Sequence, residues 1–389
     1  MFENIPERDK DWLSIASSVP SPSYVIDVYR IKQNCQMLSD ISKETNCKIL
    51  LALKAFSVYP FFKFISPYLH GVSASSLDEA RLGAEYFPGE VHVYSPAYTM
   101  SNLVQFARYT SHIILNSFQQ LLRFQSFFEE HPELKVGMRL NPRHSEVEVE
   151  LYDPCRKKSR LGVTPDQFKP DMLDKLTGFH FHTQCEKNFD ALKRTWDAFE
   201  AHFGKYLSKV EWLNLGGGHH ITKDNYDREG LVGLLKDIRK RYNLELYIEP
   251  GEAVVLNCGV FVTEVLDIIY NEGNIAILDC SAATHLPDVI EMPYVPSIIG
   301  AGKPSEYQYN YVLGGVSCLA GDIIGEYSFP QPLQPGQRLV MLDMAHYTIV
   351  KNNTFNGIRL PAIVMYDSST QKYEVLREFD YTDFKSRLG

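Results

Sequence analysis

Eight short apolar runs, most of them separated by amphipathic helical segments, constrain the fold of this 389-residue chain more than any other feature. The runs have the length of strands and lie at 48–54, 70–75, 91–95, 112–116, 135–141, 178–183, 211–216 and 245–250. Helical spacing of apolar residues precedes the first run, at 29–43, and recurs between later runs at 77–87, 103–109, 118–128, 189–203 and 226–242. Strands that alternate with helices form parallel sheets, and eight such units in a row favour a closed barrel over an open sheet. The sequence therefore predicts an α/β fold built on an eight-stranded, TIM-like βα barrel.

The carboxyl ends of these runs carry polar, reactive or glycine residues. They are Lys54, Ser75, Arg139, His182, Gly216-Gly217-Gly218 and Glu249. In a βα barrel the carboxyl ends of all strands meet on one face, and that face holds the active site. Six such positions in the expected place predict a functional site at this face.

The rhythm changes after Pro250, where strand-like runs follow one another without long helices between them. These runs lie at 260–269, 275–280, 309–316, 338–343, 346–350 and 361–366, and Pro and Gly residues separate them. A further short strand is predicted at 23–28. We therefore expect the barrel to occupy residues 29–261, and residues 1–28 and 262–389 to form a second, mainly antiparallel β domain.

Each residue at the strand ends has an ordinary reading as well as a functional one. Lys54 follows a buried apolar run and needs an ion pair, a phosphate or a Schiff base, unless it is a surface residue. Gly216-Gly217-Gly218 suits either a phosphate or a tight turn, and Glu249 either a cofactor or an ion pair. His182 offers a flat ring, whereas His180, two residues earlier on the same face, is predicted to lie in the barrel interior. No acidic or histidine neighbour completes a metal site with this pair, so none is predicted.

Taken together, these parts are those needed to hold pyridoxal 5'-phosphate. A lysine amine can bind its aldehyde, a flat ring can stack on the pyridine, glycine backbone can hold the phosphate, and a carboxylate can keep the ring nitrogen protonated.

The composition and charge of the chain restrict the classes of partner that it can bind and the compartment in which it works. The formal charge of −9 argues against nucleic acid and mildly favours small cationic ligands. No apolar run approaches membrane-spanning length, and residues 1–8 lack the pattern of a signal peptide. The seven cysteines are scattered and odd in number, which predicts reduced thiols in the cytoplasm.

The chain resembles the barrel-type (fold III) pyridoxal-phosphate decarboxylases, which include ornithine and diaminopimelate decarboxylases, with alanine racemase as a distant relative. The resemblance covers about residues 20–385 and is closest to the carboxynorspermidine/carboxyspermidine decarboxylases. The stretches that carry it are Leu51–Lys54, Ser159–Val163, Phe181–Glu186, Leu215–Gly218, Glu249–Ala253, Ser317–Asp322 and Phe355–Gly357.

The resemblance implies roles for individual residues. Lys54 would be the Schiff-base lysine and His182 the stacking residue. Cofactor contacts would come from Glu79, Arg139, Gly216, Gly217, Gly218, Glu249 and Tyr347. Cys318 would donate the proton to the product, and Asp322 would contact the distal amine of the substrate. In the family these last two residues enter the site of the partner subunit, which implies a homodimer with shared active sites.

Two departures from ornithine decarboxylase bear on the substrate. Glu252 stands where that enzyme has a phosphate-binding arginine, and Ser73 replaces an early barrel aspartate. Glu252 is also what the carboxynorspermidine branch carries, and a polyamine nitrogen is a plausible partner for it. Asp288, in a loop of the β domain, is a further predicted substrate contact.

The sequence thus predicts decarboxylation of carboxynorspermidine and carboxyspermidine to norspermidine and spermidine. The alternatives are a diaminopimelate, ornithine or arginine decarboxylase of the same fold, a racemase, or a non-catalytic relative that binds a partner protein. Lys54, the three glycines and Cys318 argue against the non-catalytic reading, and the acidic residues argue against a substrate with a distal carboxylate.

Overall fold

The computed structural model describes residues 7–292 and 294–389. Most of the first eight residues, on which the expectation of no signal peptide rested, lie outside this described part. The chain forms two compact units, one comprising Lys32–Val254 and the other the residues up to Ile31 together with Val255–Gly389. No helix in the described ranges is long and apolar enough to cross a membrane.

The strands are β1 Ser23–Asp27, β2 Lys48–Ala52, β3 Gly71–Ala74, β4 Glu90–Tyr94, β5 His112–Leu115, β6 Lys135–Arg139, β7 Gly178–His180, β8 Trp212–Asn214, β9 Glu245–Ile248, β10 Gly259–Tyr270, β11 Asn274–Leu278, β12 Tyr309–Gly314, β13 Ile323–Phe329, β14 Arg338–Leu342, β15 Ala362–Asp367 and β16 Lys372–Arg377. The α-helices are α1 Glu7–Ala16, α2 Val28–Thr45, α3 Phe62–Ile65, α4 Leu77–Tyr86, α5 Met100–Phe106, α6 Phe118–Arg123, α7 Gln125–Glu130, α8 Phe189–Phe203, α9 Arg228–Tyr242, α10 Glu252–Val255, α11 Ala282–His285, α12 Asp288–Glu291, α13 Thr348–Lys351 and α14 Tyr381–Ser386.

The first unit is a closed parallel barrel, as predicted. Strands β2 to β9 pair in chain order, and β9 returns to pair with β2. Every strand starts within a residue of its expected start, but most end two or three residues early. As a result Lys54, His182, the three glycines and Glu249 lie in the loops just beyond the strands, where backbone groups are free to turn toward the mouth of the barrel.

The barrel interior is filled around Trp212, whose side chain is fully buried. Two glycines, one on the adjacent strand β7 and one on the next strand β6, make room for its ring. A Cβ atom at Gly137 or Gly178 would lie 2.3 or 2.0 Å from atoms of that ring. The indole Nε1–H donates to the Thr177 hydroxyl at 3.0 Å, which fixes the ring in this position.

The second unit is a mostly antiparallel sheet in the order β13-β12-β11-β10-β1-β15-β16, with β14 paired to β10. Only the β1–β15 and β11–β12 pairs are parallel. The amino-terminal strand β1 lies between β10 and β15, so residues from both ends of the chain share one sheet. Its core lies between helix α1 and the sheet, where Trp12 and Ile15 pack with Val25, Val260 and Val364.

Within this sheet the sequence prediction was wrong at three places. The β-branched run at 346–350 predicted a strand, but it holds the short helix α13, which begins after Tyr347 at a positive φ of 46°. Strands β13 and β16 were missed: β13 has a glycine in its interior, and β16 is a largely exposed edge strand. Both features weaken the alternating apolar pattern on which strand prediction depends.

The expected barrel limits of residues 29–261 differ from those of the compact unit, Lys32–Val254. The reason is that β10 starts at Gly259 and pairs from its first residue with β1. These residues therefore belong to the sheet.

Candidate active site

Lys54 lies two residues beyond the end of β2. Its side chain is accessible to solvent, and its Nζ atom lies 3.2 Å from Nε2 of His182. Although part of the side chain is accessible, protein atoms surround its amine; this burial of the amine and the nearby Arg139 guanidinium lower the pKa of Lys54, and Glu249 acts in the opposite direction. A lysine with a lowered pKa has more of the neutral amine that attacks a carbonyl carbon.

His182 is held in a single tautomer by the glycine loop. The backbone N–H of Gly217 donates to Nδ1 at 3.0 Å, so that nitrogen carries the lone pair and the proton of the neutral ring lies on Nε2. Burial and the neighbouring Lys54 lower the pKa of His182 well below its ordinary value, which keeps the ring neutral. Nε2–H therefore donates to Lys54, and the partner that can accept this bond is the neutral amine.

Glu249 is the buried carboxylate of the site, with 7% of its surface exposed. Asn214 Nδ2 donates to Oε1 at 2.7 Å, and His180 Nε2 lies 3.3 Å from Oε2. Burial would raise the pKa of this group, but the charge and hydrogen bond of His180 outweigh it and lower the pKa to about 2. Glu249 is thus ionised and aligned to accept a proton donor or cation.

Arg139 ends β6 and ties the site together. Its Nη2 donates to the carbonyl oxygen of His182 at 2.9 Å, and its guanidinium carbon lies 4.4 Å from the centre of the Tyr94 ring. These contacts place a buried positive charge beside Lys54, where it favours the neutral amine.

Glu79 lies in the first turn of α4, which Ser76 caps by accepting the N–H of Glu79 at 3.2 Å. The Glu79 carboxylate reaches back to accept the N–H of Ser75 at 2.6 Å. Burial raises the pKa of Glu79, and the hydrogen bond from the Ser75 N–H and the neighbouring Lys54 oppose this. The helix start therefore holds a carboxylate near the lysine.

The three glycines form a tight loop with backbone on every side. A Cβ atom at Gly217 or Gly218 would lie 2.0 Å from the carbonyl oxygen of Glu249 or Gln184. Gly216 and Gly218 also adopt φ values of +73° and +84°, which favour glycine. The N–H of Gly216 donates to Asn214 and that of Gly217 to His182. The loop thus orients two site side chains, and its contact with a phosphate stays a prediction.

Glu252 begins α10 and lies 3.1 Å from Nε2 of His220, with 12% of its side chain exposed. Its charge raises the pKa of the Cys185 thiol, which burial already raises and which Lys54 lowers. Glu252 and Lys54 therefore both lie near Cys185, on the same face of the barrel.

Cys318 and Asp322 lie in the loop between β12 and β13 of the sheet unit. Cys318 is exposed, and its N–H donates to Asn356 at 2.8 Å. Asp322 is only 3% exposed; its carboxylate accepts the N–H groups of Ala282 at 2.7 Å and Ser317 at 2.9 Å. The geometry gives Asp322 a local task, shaping the loop that carries Cys318, and its predicted substrate contact stays a prediction.

Asp288 and Tyr347 also belong to the sheet unit. Asp288 is half-buried and forms an ion pair with Lys351, which also binds Glu291 at 2.7 Å. Tyr347 adopts a φ of +46°, a conformation that costs an aromatic residue on the order of 1–3 kcal/mol. The predicted contact of Asp288 with the substrate and that of Tyr347 with the phosphate stay predictions.

Asn214 and the bond from His180 to Glu249 were missed by the sequence reasoning. His180 was expected to be an interior residue, and Asn214 was not singled out. Asn214 bonds both Glu249 and Gly216, so it links the carboxylate to the glycine loop. The available signal was its position one residue before the Leu215–Gly218 stretch, near the end of the strand predicted at 211–216.

The residues of the barrel fit pyridoxal phosphate. A lysine amine with a lowered pKa, an oriented flat imidazole and a buried ionised carboxylate lie on one face. These are the groups that the aldehyde, the ring and the pyridine nitrogen of the cofactor require.

Three comparisons with known proteins agree with this chemistry. Residues 23–345 match the model of a family described as pyridoxal-dependent decarboxylase, C-terminal sheet domain. The chain is 40% identical over 380 residues to a carboxynorspermidine/carboxyspermidine decarboxylase of Campylobacter jejuni subsp. jejuni, covering 95% of this chain and 98% of that one. It is 42% identical over 375 residues to a carboxyaminopropylagmatine decarboxylase of Synechocystis sp., covering 96% of each. The crystal structure of a Campylobacter jejuni carboxynorspermidine decarboxylase in complex with norspermidine superposes with a TM-score of 0.88 at 39% identity, covering 95% of this chain and all of that one.

Proposed function

Because the chain belongs to the pyridoxal-dependent decarboxylases, we propose that it decarboxylates carboxynorspermidine and carboxyspermidine, releasing norspermidine and spermidine. The observation that carries this proposal is the cluster of Lys54, His182 and an ionised Glu249 at the mouth of the barrel. It is supported by full-length similarity to the Campylobacter decarboxylase and by the norspermidine bound in the related crystal structure.

Each barrel residue has one task in this reaction. Lys54 would hold the cofactor through its aldehyde, and the lowered pKa of its amine favours that role. His182, fixed by Gly217, presents its ring face and holds the amine of Lys54 by its Nε2–H. Glu249, fixed by Asn214 and His180, is ionised and would hold the proton on the pyridine nitrogen of the cofactor. Bound pyridoxal phosphate supplies an electron sink for the electron pair that remains when the carboxylate leaves.

Recognition of the substrate tail falls to acidic residues. Glu252 is the one that belongs to the barrel unit and lies near Lys54, through Cys185. Its partner His220 bears a charge only when protonated, so a polyamine nitrogen can replace it without breaking a permanent ion pair. Asp288 is bound to Lys351 and Asp322 to backbone N–H groups. Glu252 is therefore the first of the three to test.

Proton return to the α carbon is assigned to Cys318. This residue is exposed in the loop that Asp322 shapes, and an exposed thiol can reach a substrate carbon. Replacing Cys318 by Ala should slow correct turnover by about 100-fold or more, with little change in cofactor affinity. Equal losses of turnover and cofactor binding would contradict this role.

A homodimer with shared sites completes the proposal. Lys54→Ala and Cys318→Ala chains, each inactive alone, would then form mixed dimers with one intact site. An equal mixture, refolded or exchanged, should recover up to about one quarter of wild-type activity. If a mixture shown to contain mixed dimers recovers no activity, Lys54 and Cys318 belong to the site of a single chain and the sites are not shared.

The proposed location is the cytoplasm. Cys318 is an exposed free thiol and has to remain a thiol for the assigned role, which a reducing compartment ensures. Fractionation of cells that express the protein would test this, and recovery outside the cytoplasm would contradict it.

A second substrate deserves the same assay, since the 42% identical Synechocystis relative is a carboxyaminopropylagmatine decarboxylase. By name that substrate is built on agmatine, and therefore ends in a guanidinium group, whereas the carboxylated polyamines end in an ammonium. Both are cations, so the acidic residues suit either, and the choice depends on the shape of the pocket.

The experiment is a spectrum followed by a substrate panel. Purified wild-type protein should show a near-visible absorption band. Borohydride should bleach this band and attach the cofactor covalently to Lys54, and the Lys54→Ala variant should lack the band. The holoenzyme is then given carboxynorspermidine, carboxyspermidine, carboxyaminopropylagmatine, diaminopimelate, ornithine and arginine, and CO2 release is measured. Highest kcat/KM for the first two supports the proposal. A preference for diaminopimelate, ornithine or arginine, or failure to bind the cofactor at all, would overturn it.

A further inference from the structure

A second cluster of titratable side chains lies at the amino end of the barrel strands, which the proposed reaction does not use. Glu90 and His92 are two residues apart on β4, so their side chains share one face of that strand. His112 begins β5 and is the direct register partner of His92. The rings of the two histidines stack at 3.7 Å between centroids, beside Trp212 and Tyr247. All three side chains therefore face the barrel interior.

The donor atoms of this cluster have the spacing of metal ligands. Glu90 Oε2 lies 3.1 Å from His92 Nε2 and 3.9 Å from His112 Nδ1. One donor atom from each residue falls within 4.8 Å of the others. Ligands at about 2.0–2.1 Å from a tetrahedral zinc ion lie roughly 3.3 Å apart. The donor atoms are thus close enough for one ion, and to bind it the two rings would turn out of their stacked arrangement.

Both imidazoles are available as neutral ligands. His92 and His112 are 0% and 1% exposed, and burial lowers the pKa of each, that of His112 to about 2. The pKa of Glu90 is lowered by His92 and Lys48, despite its burial, so the carboxylate is charged. Two neutral imidazoles and one carboxylate are a donor set that suits zinc and neighbouring transition metals better than Mg²⁺ or Ca²⁺.

Each histidine already has one buried ring nitrogen without a hydrogen-bond partner. These are Nδ1 of His92 and Nε2 of His112. Their other nitrogens face Glu90 and the Ser111 hydroxyl. If a metal took His92 Nε2 and His112 Nδ1, the ring protons would move to the unpartnered nitrogens. The number of ring nitrogens without a partner would not rise, and bonds to the metal would replace the contacts of His92 with Glu90 and of His112 with Ser111.

The charges around the cluster leave one oxygen of Glu90 for a cation. Lys48 binds the other oxygen, Oε1, and also Glu245. The Tyr247 hydroxyl can donate to Glu90 at 2.9 Å or to Glu245 at 2.7 Å, so it can turn away from Oε2. Lys48 is the one competing charge in direct contact with Glu90 in the described part of the chain, and it lowers affinity without occupying Oε2. The Glu90 side chain is 26% exposed, which gives an ion and a completing water access from solvent.

We propose that Glu90, His92 and His112 form a binding site for one divalent transition metal ion of the zinc class, at the end of the barrel opposite the loops that carry Lys54. The sequence predicted no metal, because these residues belong to two strand starts and lack any motif spacing. The site is independent of the proposed decarboxylation, and its test does not require turnover.

The probe is Co²⁺, added to the metal-stripped holoenzyme. Wild-type protein should bind one ion per chain, with visible d–d bands of the strength expected for four-coordinate Co²⁺, and Zn²⁺ should displace it. Glu90→Gln and His112→Phe should each lower the affinity by about 100-fold or more. His131→Phe is the matched control, since His131 pairs with Glu133 at 2.9 Å on the surface, and it should bind as the wild type does.

Because His112 is buried, its variant could fail to fold, so a measurement on the wild type completes the test. X-ray absorption of the Zn²⁺-loaded protein should show two imidazole ligands at about 2.0–2.1 Å. The proposal is overturned if the wild type binds no Co²⁺, if its binding survives in folded Glu90→Gln, or if the bound zinc has sulfur or no imidazole ligands.

Discussion

Replacing Gly178 by Ala tests whether Trp212 fixes the packing of the barrel interior. The added Cβ would lie 2.0 Å from two atoms of the Trp212 ring, and ordinary contact begins near 3.4 Å. The ring or the strand must therefore move by about 1.4 Å, the difference between these distances. Trp212 is fully buried, with His112 and Tyr247 edge-on to its ring at 5.2 and 6.1 Å.

The size of the effect follows from two terms. Overpacking of a core costs about 1–3 kcal/mol, and a shifted ring loses its hydrogen bond to Thr177, worth about 0.5–1.5 kcal/mol. We expect Gly178→Ala to lower the free energy of unfolding by about 2–4 kcal/mol. For a domain the size of this barrel, that corresponds to a fall in Tm of about 5–15 °C.

The assay is thermal unfolding at a fixed scan rate, with Gly233→Ala as the matched control. Gly233 lies within α9, and a Cβ there meets nothing within 4 Å, so this change should raise stability by about 0.5–1 kcal/mol. In a double-mutant cycle, Trp212→Phe should relieve at least about 1 kcal/mol of the Gly178→Ala loss. Unchanged Tm in Gly178→Ala, or strict additivity with Trp212→Phe, would refute the reasoning.

Three further predictions concern the site and its loops. The pKa of Glu249 is about 2 in the fold against an ordinary 4.5. Its charge therefore adds stability above pH 4.5, and this stability is lost as the pH falls toward 2. Urea unfolding should show a loss of about 3 kcal/mol in the free energy of unfolding over this range, and the loss should be absent in Glu249→Gln. Arg139→Met removes a charge that lowers the pKa of Lys54, so the pH profile for capture of pyridoxal phosphate by the apoprotein should shift to higher pH. The profile of Arg139→Lys should shift less, and identical profiles in all three proteins would contradict this effect of Arg139 on Lys54. Asp322→Asn turns an amide toward backbone N–H groups and should lower the stability of the loop by about 1–3 kcal/mol. Backbone hydrogen exchange at residues 315–322 should become faster, and unchanged exchange would contradict the role of Asp322 in shaping the loop.

The barrel could be predicted from sequence because each unit repeats the same local pattern. The start of each barrel strand is marked by where the apolar run begins, and eight such runs leave little choice of architecture. The positions of Lys54, His182 and Glu249 followed from the same rule, since a residue just past a barrel strand lies at the catalytic face. Where the local pattern was weak or misleading, as in β13, β16 and the run at 346–350, the prediction failed.

What the sequence determined by itself was the barrel, the existence of a β domain and the face on which the reactive residues gather, because these depend on local periodicity and chain direction. Only the tertiary structure decided which atoms meet. His180 and Asn214 reach Glu249 from strands 69 and 35 residues away in the chain, and Gly217 sets the tautomer of His182. His92 meets His112 through the register of two neighbouring strands. Register, barrel closure and side-chain direction are set by the packing of the whole unit, and no single stretch of sequence contains them.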